Sequence, residues 1–404
     1  MARVLLGAFG DPGHVFPLMA LGRALRGRGH DVAIHTAVKW REHAEREGFR
    51  FFVAPEYGPE LTDGVPMKPY QAVATVTGQA SEVVEEFGPD IVVADILTLA
   101  PALAGELAGL PVATLVPHVY PDPLDGWPPY SLGARLPRTA AGRALWRRTR
   151  PTLDAGLDRG MRECNETREM VGLPPRMWVH NGQSPELVMV ATMPQLEYPR
   201  VWRDHVHVVG PLLWEPPAEE IDLPPGDAPL VLVAPSTSQD LRHRLLRAAV
   251  EGLGDLPIRV LATWNRRPLK DRLDVPDNTR LVEWVSYART MPHCDVVVCH
   301  AGHGTVVRAL ASGCRLVAVP AGGDMNENAA RIDWAGVGVR LPRRATNPRA
   351  VGLAVGRALN RPGIAARVAE AQAWAAANDG GERAVDILEA HLERRSPARV
   401  AGAA

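Results

Sequence analysis

The chain has 404 residues, of which 46% are hydrophobic, and its formal net charge is −1. A chain of this length usually forms more than one hydrophobic core, so two domains are expected. Because acidic and basic residues are balanced, the composition supports neither a nucleic-acid-binding surface nor a basic membrane-binding face.

The cysteines and the N-terminus favour a reducing compartment. Cys164, Cys294, Cys299 and Cys314 follow neither a C-x-x-C spacing nor an even framework, which argues against disulfides and a zinc site. The first residues run directly into a strand pattern, and no apolar segment is long enough to span a bilayer. We therefore expect a cytoplasmic protein without integral membrane contact.

Short apolar runs alternate with helical patterns through the first half of the chain. The runs are RVLLGAF, DVAIHT, DIVVAD and PVATLVP, and helices are predicted between them near residues 17–28, 39–48 and 99–109. Strands that are apolar throughout are buried on both faces, which is typical of a parallel sheet between two helix layers. The first half is therefore predicted to be a doubly wound α/β domain.

This pattern stops after residue 118. The segment HVYPDPLDGWPPYSLGARLPRT is rich in proline and aromatic residues, and a long helical stretch follows it to about Gly172. A loop of this composition is either a disordered excursion or a wall for an apolar ligand.

A second α/β unit follows a linker-like segment. The run PLLWEPPAEEIDLPPGDAP has the proline and acid content of an interdomain linker. After it come the apolar runs LVLVAPS, RVLATW, TRLVEW, DVVVCH, RLVAVP and VGVRL, with helices predicted from Asp240, Gly304 and Asn326. Two open parallel sheets leave a cleft between them, and ligands bind at the carboxyl ends of such strands.

Histidines and glycines follow the strand DVVVCH. His300 ends the strand, and Gly302 and Gly304 let backbone amides approach a ligand before Thr305 opens a helix. Because the N-terminus of a helix favours an anion, this segment predicts a diphosphate site. The neighbouring His303 could approach the phosphates or simply pack at the start of the helix.

Three other strands of this half end in polar or aromatic residues. LVLVAPSTSQD delivers Ser236 and Thr237, whose hydroxyls could bond a phosphate or cap the next helix. TRLVEW delivers Trp284, whose ring could stack on a nucleobase. After RLVAVP, a Gly-Gly turn leads to groups suited to sugar hydroxyls, namely Asp324, Asn326 and Asn328. Each residue also has an ordinary interpretation as a cap, turn or core residue, but their arrival together at strand ends favours a ligand site.

The loop after the first strand carries a histidine but no dinucleotide-binding fingerprint. Its glycines lie three apart, so G-x-G-x-x-G is absent and a dehydrogenase is disfavoured. His14 lies in this loop, with Pro17 placed to start a helix, and Asp95 ends the strand DIVVAD. In one parallel sheet both side chains would emerge at the carboxyl edge, where a carboxylate would orient the imidazole as a general base. Asp11 is a reserve candidate, and the alternative is that His14 and Asp95 only cap local structure.

Two segments resemble a known enzyme family. HAGHGT…GCRLVAVPAGGDMNENAARI resembles the nucleotide-sugar signature of family-one glycosyltransferases of the GT-B fold, particularly bacterial ones that decorate natural products. GHVFPLMALGRALRGRGHDV resembles the opening segment of that family, so the resemblance covers essentially the whole chain. It implies two Rossmann-like domains that face each other across a cleft. Their expected bounds are 1–211 for acceptor binding, 212–229 for a linker and 230–380 for nucleotide-sugar binding, with a helix and tail at 381–404 that could pack back on the first domain.

The resemblance also implies roles for individual residues. The diphosphate would be held by His300, Gly302, Gly304, Thr305 and Thr237, the base by Trp284 and Val285, and the sugar by Asp324, Asn326 and Asn328. His14 would deprotonate the acceptor with support from Asp95. Two positions depart from the family: Met325 replaces a common Gln, and Arg308 replaces the ribose-binding Glu of plant members, which fits a thymidine diphosphate donor.

Together these observations predict an inverting glycosyltransferase that moves a sugar from a thymidine or uridine diphosphate to a small apolar acceptor. The acceptor, an aromatic or macrocyclic aglycone, is expected against residues 118–130 and 70–87, with His118, Trp127 and Tyr130 as candidate contacts. No metal or other cofactor is expected, and the protein would be a monomer or homodimer. Two alternatives remain: an epimerase or hydrolase of nucleotide sugars on the same fold, and a non-catalytic protein that only binds a nucleotide sugar or aglycone.

Overall fold

The computed structural model describes residues 1–55, 61–62, 65–66, 69–177, 182–219, 221–236, 240 and 242–395. For residues 61–62, 65–66 and 69–71 it describes the backbone alone.

The strands of these residues form two parallel sheets and one short antiparallel pair. They are β1 (Arg3–Gly7), β2 (Asp31–Thr36), β3 (Arg50–Val53), β4 (Leu61–Thr62), β5 (Val65–Pro66), β6 (Ile91–Asp95), β7 (Val112–Val116), β8 (Leu187–Val190), β9 (Val206–Val208), β10 (Leu230–Ala234), β11 (Arg259–Thr263), β12 (Thr279–Val282), β13 (Val296–Cys299), β14 (Arg315–Ala318) and β15 (Gly338–Arg340).

The helices lie between these strands and after the last one. They are α1 (Pro12–Gly27), α2 (Arg41–Arg46), α3 (Pro69–Phe87), α4 (Leu99–Leu107), α5 (Ala140–Met170), α6 (Arg244–Leu253), α7 (Tyr287–Thr290), α8 (His303–Ala311), α9 (Asp324–Ala335), α10 (Pro348–Asn360), α11 (Pro362–Ala377) and α12 (Gly380–Arg395). Short 3₁₀ helices occur at Val38–Trp40, Pro194–Leu196, Met291–His293 and Arg343–Ala345.

The first sheet has the strand order β3-β2-β1-β6-β7-β8-β9, and its strands are parallel. Its central strands are apolar because both faces are covered: α1 and α12 pack on one face, and α3 and α4 pack on the other. The strand order reverses between β1 and β6, where Gly7 pairs with Ala94. In open α/β sheets this reversal is where a ligand crevice forms at the carboxyl edge.

The second sheet repeats the plan with the order β12-β11-β10-β13-β14-β15, again parallel. One face is covered by α6 and α10, and the other by α8, α9 and α11. Its reversal lies between β10 and β13, where Ala234 pairs with Cys299. The prediction of two doubly wound Rossmann-like domains is therefore confirmed.

The two sheets share part of their cores. Val119, Met193 and Leu196, from loops of the first sheet, belong to the apolar cluster that packs α8 and α9 against the second sheet. Ala384, Val385 and Leu388 of α12 lie in the cluster around α1, so the last helix returns to the first sheet. No helix of the described residues is both long and apolar enough to cross a membrane.

Four helix starts differ from the sequence prediction. Helix α1 begins at Pro12, because proline is already suited to the first helical position, so Pro17 lies inside the helix. The Gly-Gly turn ends at Gly323, whose φ is +53°, so α9 already starts at Asp324. Helix α6 begins later than expected, because Asp240 accepts bonds from the amides of residues 244 and 245 and so precedes the helix. Helix α8 starts at residue 303, two residues before Thr305.

Candidate active site

His14 and Asp95 meet at the reversal point of the first sheet. His14 lies in the first turn of α1 and Asp95 ends β6, and Nδ1 of His14 donates to Oδ1 of Asp95 at 2.7 Å. The Asp95 side chain is fully buried, whereas 18% of the His14 side chain is exposed. Because Nδ1 is the donor, Nε2 is the basic nitrogen of the neutral ring.

The carboxylate of Asp95 is fixed on its other side. Thr98 Oγ donates to Oδ2 at 3.2 Å, and the Leu97 amide donates to the same oxygen at 3.4 Å. Asp95 thus does cap the segment that enters α4, as the alternative interpretation held, while its other oxygen holds the imidazole. Thr98 is not among the predicted site residues, although the D-x-x-T spacing before an apolar helical run indicates such a contact.

The charges around His14 set its protonation. Burial disfavours the charged ring, but the hydrogen bond and the charge of Asp95, together with the charges of Asp11 and Asp324, raise the pKa of His14 above its ordinary value. The effect of Asp324 acts between the domains, because Asp324 opens α9 on the second sheet whereas His14 belongs to the first. The candidate base and the candidate sugar-binding carboxylate therefore face the same cleft.

His118 and Tyr130 form a second polar pair on the first-domain side of this cleft. The hydroxyl of Tyr130 lies 3.1 Å from Nδ1 of His118, and that nitrogen is also 2.8 Å from the Val119 carbonyl oxygen. Burial lowers the pKa of His118, and the nearby charge of His14 lowers it further. Tyr130 packs against the core of the second domain, so this pair lies close to His14 and at the contact between the domains.

The turn between β13 and α8 has the shape expected of an anion site. Ala301 has a φ of +65°, an unusual conformation for a residue with a side chain, and Gly302 is the N-cap of α8. A Cβ at Gly302 would lie 2.5 Å from Nε2 of His300, so the ring of His300 requires a glycine there. At Gly304 a Cβ would meet no protein atom within 4 Å, so packing does not require glycine and the space is open to a ligand.

His300 itself connects the two strands at the reversal of the second sheet. Its Nδ1 lies 3.5 Å from the carbonyl oxygen of Ala234, at the end of β10. Burial lowers the pKa of His300, although this hydrogen bond and the charges of Asp324 and Asp240 oppose the effect. The ring is thus held in its neutral form next to the N-terminus of α8.

Two predicted contacts of this region support the protein rather than a ligand. Asn328 is buried, and its Nδ2 donates to the Ala301 carbonyl oxygen at 2.9 Å. The prediction that Asn328 contacts the sugar is therefore corrected: its amide holds the turn at Ala301. His303 is also buried and donates from Nε2 to the Ala191 carbonyl oxygen of the first domain, and burial lowers the pKa of His303 to about 3. His303 packs at the start of the helix, as one of its two interpretations held.

The first turn of α9 presents the remaining sugar-site candidates. Asp324 is partly exposed at the helix N-terminus, where a carboxylate is favoured by the helix dipole. Met325 packs against the apolar cluster of the second sheet. Asn326 is partly exposed and lies against Gly133, where a Cβ would come within 2.6 Å of Asn326 Cβ. The loop of the first domain thus reaches the sugar-site candidates directly.

The candidate residues for binding the nucleobase of the donor differ from one another in exposure. The ring of Trp284 is partly exposed, stacks on Tyr287 with a centroid separation of 6.3 Å, and has the Arg266 guanidinium 4.8 Å from its centroid. The side chain of Val285 is 1% exposed and fills the core, so only its backbone is available to a base. Arg308 donates to the Trp214 carbonyl oxygen at 3.2 Å and ties the linker to α8.

The predicted acceptor wall is divided by the structure. Trp127 packs on Tyr198 with a centroid separation of 5.1 Å, and Tyr198 in turn contacts Trp334 of α9 at 5.0 Å. Trp127 therefore belongs to an aromatic cluster between the domains, and its contact with an acceptor stays a prediction. Thr237 lies outside the described residues, as does the side chain of Tyr70 at the start of the 70–87 stretch. Within the described part of the chain, no three metal-ligating side chains come together.

Comparison with known proteins finds relatives over nearly the whole length of the chain. A family model described as "Erythromycin biosynthesis protein CIII-like, C-terminal domain" matches residues 247–390. The chain is 29% identical to 4'-demethylrebeccamycin synthase of Lentzea aerocolonigenes, over 96% of this chain and 99% of that protein. It is also 29% identical to O-mycaminosyltylonolide 6-deoxyallosyltransferase of Streptomyces fradiae, over 99% and 100% of the two chains.

Solved structures show the same fold. The glycotransferase of kitacinnamycin superposes with a TM-score of 0.77 at 20% identity, covering 96% of this chain and 98% of the other. The glycosyltransferase VinC, crystallised in complex with dTDP, gives a TM-score of 0.71 at 19% identity, covering 97% and 100%.

The fold and these relatives define a glycosyltransferase of the GT-B fold. Its similarity to enzymes of bacterial antibiotic biosynthesis confirms the resemblance to family-one glycosyltransferases noted in the sequence motifs.

Proposed function

We propose that this protein transfers a sugar from a nucleoside diphosphate to a hydroxyl of a natural-product acceptor, with inversion at the anomeric carbon. The observation that carries the proposal is the 2.7 Å bond between His14 and Asp95 at the first reversal point. It faces the second domain, where Asp324 is close enough to influence the protonation of His14. A base and a sugar site in one cleft are what a single in-line displacement requires.

The proton is taken by Nε2 of His14. As the acceptor oxygen attacks, the ring becomes an imidazolium, and Asp95 stabilises this cation through the Nδ1–H bond while fixing the ring's orientation. The raised pKa of His14 makes the neutral ring a stronger base than an isolated histidine. Since the base and the leaving group lie on opposite domains, the attack comes from the face opposite the diphosphate and inverts the configuration.

The leaving diphosphate is stabilised at the second reversal point. The amides at the start of α8 provide fixed donors, and the helix dipole favours the developing negative charge. The open space at Gly304 lets phosphate oxygens approach these amides closely. Asp324 and Asn326, in the first turn of α9, are left to bind the hydroxyls of the transferred sugar.

The names of the relatives support the proposed donor and acceptor classes. VinC was crystallised with dTDP, and two of the similar enzymes are named as a 4'-demethylrebeccamycin synthase and an O-mycaminosyltylonolide 6-deoxyallosyltransferase. We therefore assign a thymidine diphosphate sugar, with uridine diphosphate as the second choice, and an aromatic or macrocyclic acceptor. The donor is a co-substrate, and the proposed chemistry uses no metal.

The test begins with donor binding and ends with product configuration. Calorimetric titrations with thymidine diphosphate, uridine diphosphate and nicotinamide dinucleotide should give micromolar binding of a nucleoside diphosphate and none of the dinucleotide. Thymidine diphosphate glucose and uridine diphosphate glucose are then incubated with a panel of indolocarbazole, macrolactone and flavonol acceptors. Mass spectrometry should detect a glycoside, and proton NMR should show the anomeric configuration opposite to that of the donor.

His14→Ala separates this proposal from its alternatives. The variant should retain nucleotide affinity and lose transfer, a result that a non-catalytic binding protein does not explain. An epimerase or hydrolase would convert the donor without forming a glycoside. If neither thymidine diphosphate nor uridine diphosphate binds in the titration, the assignment of the α8 turn as a diphosphate site is overturned, and the transferase proposal with it.

A further inference from the structure

A buried ionic cluster joins α9 to the first domain. Arg331, one turn from the end of α9, donates from Nε to Glu327 at 2.8 Å and from Nη1 to Glu197 at 3.1 Å. Glu197 follows the 3₁₀ helix Pro194–Leu196 of the first domain, whose Leu196 carbonyl oxygen also accepts from Nη1 at 3.0 Å. The Arg331 and Glu197 side chains are each 3% exposed, so this pair is fully enclosed.

The same carboxylate holds the loop that carries the candidate acceptor residues. Oε1 of Glu197 accepts from the Tyr120 amide at 2.7 Å, while Oε2 accepts from Arg331. Tyr120 lies two residues after His118 in the loop that follows β7. Glu197 therefore connects a backbone amide of the acceptor-side loop to a side chain of α9.

The other end of α9 carries the sugar-site candidates. Asp324 opens the helix, and Arg331 lies two turns further on. A shift of Arg331 therefore moves the Asp324 carboxylate as well. Close contacts reinforce this coupling. Arg331 also covers the ring of Tyr198 at 3.5 Å, and Gly133 is pressed against Asn326 in the first turn.

We propose that Arg331 and Glu197 are positioning residues for glycosyl transfer, which fix the acceptor-side loop of the first domain against the sugar-side helix of the second. This inference rests on the proposed function for its effect on transfer, but the contact itself does not. The ion pair sets the separation between the acceptor oxygen near His14 and the anomeric carbon near Asp324. A displacement of about 1 Å at such a distance can lower the rate by about 100-fold.

The neighbouring Arg135–Asp333 pair provides a matched control. It also joins the first domain to α9, with Nε of Arg135 3.0 Å from Oδ2 of Asp333, but the Arg135 side chain is 80% exposed. An exposed ion pair contributes little because water screens it, whereas the enclosed Arg331–Glu197 contact is not screened, and its loss would leave Arg331 paired with Glu327 alone. Asp333→Asn should therefore change the interdomain distance and kcat very little, whereas Glu197→Gln should change both.

The first readout is the distance between the domains. Leu107→Cys and Leu353→Cys provide exposed sites for spin labels on the two domains, and the native cysteines are buried. Pulsed electron paramagnetic resonance should give one narrow distance distribution with or without thymidine diphosphate. In Glu197→Gln, which retains an acceptor for the Tyr120 amide, this distribution should broaden, and in Asp333→Asn it should not.

The second readout separates positioning from folding. With thymidine diphosphate glucose and the best acceptor of the panel, Glu197→Gln should lower kcat about 10- to 100-fold. Its affinity for thymidine diphosphate should stay within about twofold of the wild type, because the predicted diphosphate contacts lie on the second domain. Arg331→Lys, which keeps the charge, should retain more of kcat than Arg331→Met. A merely structural role would lower the melting temperature and the active fraction without changing kcat per folded molecule.

Two results would overturn the inference. One is a Glu197→Gln variant with a narrow distance distribution and a kcat within about twofold of the wild type. The other is an Asp333→Asn variant that behaves like Glu197→Gln. If the wild type forms no glycoside, the proposed function fails, and the label distances still decide whether the ion pair fixes the domains.

Discussion

Replacing Asp95 by asparagine tests the centre of the proposed mechanism. Oδ2 of Asp95 accepts from Thr98 Oγ and from the Leu97 amide, so that position requires an acceptor. The single oxygen of an asparagine would therefore occupy it and turn the NH₂ group toward His14. Nδ1 of His14 would then have to accept, which places the proton on Nε2 and removes the basic atom from the cleft.

The size of the effect follows from the interactions that are lost. A charge-assisted hydrogen bond contributes about 2–3 kcal/mol, which corresponds to about 30- to 150-fold in rate. The wrong tautomer adds to this loss, as the equivalent Asp-to-Asn change in serine proteases shows with a fall of about 10⁴-fold in kcat. We expect Asp95→Asn to lower kcat about 10³-fold. The pKa of His14 should also fall, because burial continues to lower it and Asp95 no longer raises it.

The assay compares kcat at saturating donor with the calorimetric affinity for thymidine diphosphate, which should not change. Thr98→Val is the matched control, because it removes one donor to Oδ2 and keeps the carboxylate, so kcat should fall less than about tenfold. If Asp95→Asn keeps a third or more of the wild-type kcat at its optimum pH, Asp95 does not set the tautomer and His14 is not the base.

Three further results are expected. The wild-type kcat/KM should fall as pH falls through a value above 6.5, because the pKa of His14 is raised. The charge of Asp11 contributes to this raised pKa, so Asp11→Asn should move the acidic fall of kcat/KM to lower pH. A pH–rate profile in which this fall does not move would contradict the prediction. Nδ1 of His300 faces the Ala234 carbonyl oxygen, so Nε2 can donate to a phosphate only when the ring is protonated. Thymidine diphosphate should therefore bind with proton uptake, and more weakly as pH rises. Calorimetry in two buffers should detect this proton uptake in the wild type and none in His300→Gln. Asn328→Ala should weaken thymidine diphosphate binding about fivefold, because it removes a hydrogen bond that contributes roughly 1 kcal/mol. Adding Ala301→Gly should restore part of the affinity, because glycine adopts positive φ without strain. Equal affinities of the wild type, the single variant and the double variant would refute the role of Asn328 in holding the turn.

The fold and the paired residues were predictable because they depend on local pattern. Uniformly apolar runs such as IVVAD and VVVC indicated strands buried on both faces, and residues at their carboxyl ends had to lie on one edge. The pairing of His14 with Asp95 was therefore predictable without knowledge of the distance between them. It could not locate the start of α1, because two prolines, Pro12 and Pro17, both suit a helix start and only the packed chain shows which is used.

The remaining differences concern side chains whose environment comes from residues distant in the sequence. Asn328 is one turn after Asp324 and looked equally suited to a sugar, yet the fold turns it to the Ala301 carbonyl. Trp127 occupies a loop of cleft-like composition, but its ring packs on Tyr198, which in turn contacts Trp334 of α9. Arg331 and Glu197 gave no signal beyond the Glu327–Arg331 spacing of four residues, which is common on exposed helices. A sequence pattern reports local periodicity, and it does not show which surfaces two domains bury against each other.

The division of the proposed chemistry between two sheets explains why the contact between them matters for the rate. Each reversal point is rigid by itself, because Asp95 is fully buried and the α8 turn is held by Asn328. The distance between the two points is not fixed by either sheet. It depends on the residues that cross the cleft, which include the enclosed Arg331–Glu197 pair and the apolar residues Val119, Met193 and Leu196. Preorganisation of base and leaving-group site, which electrostatic stabilisation of a transition state requires, is therefore a property of this interface as much as of the residues that touch substrate.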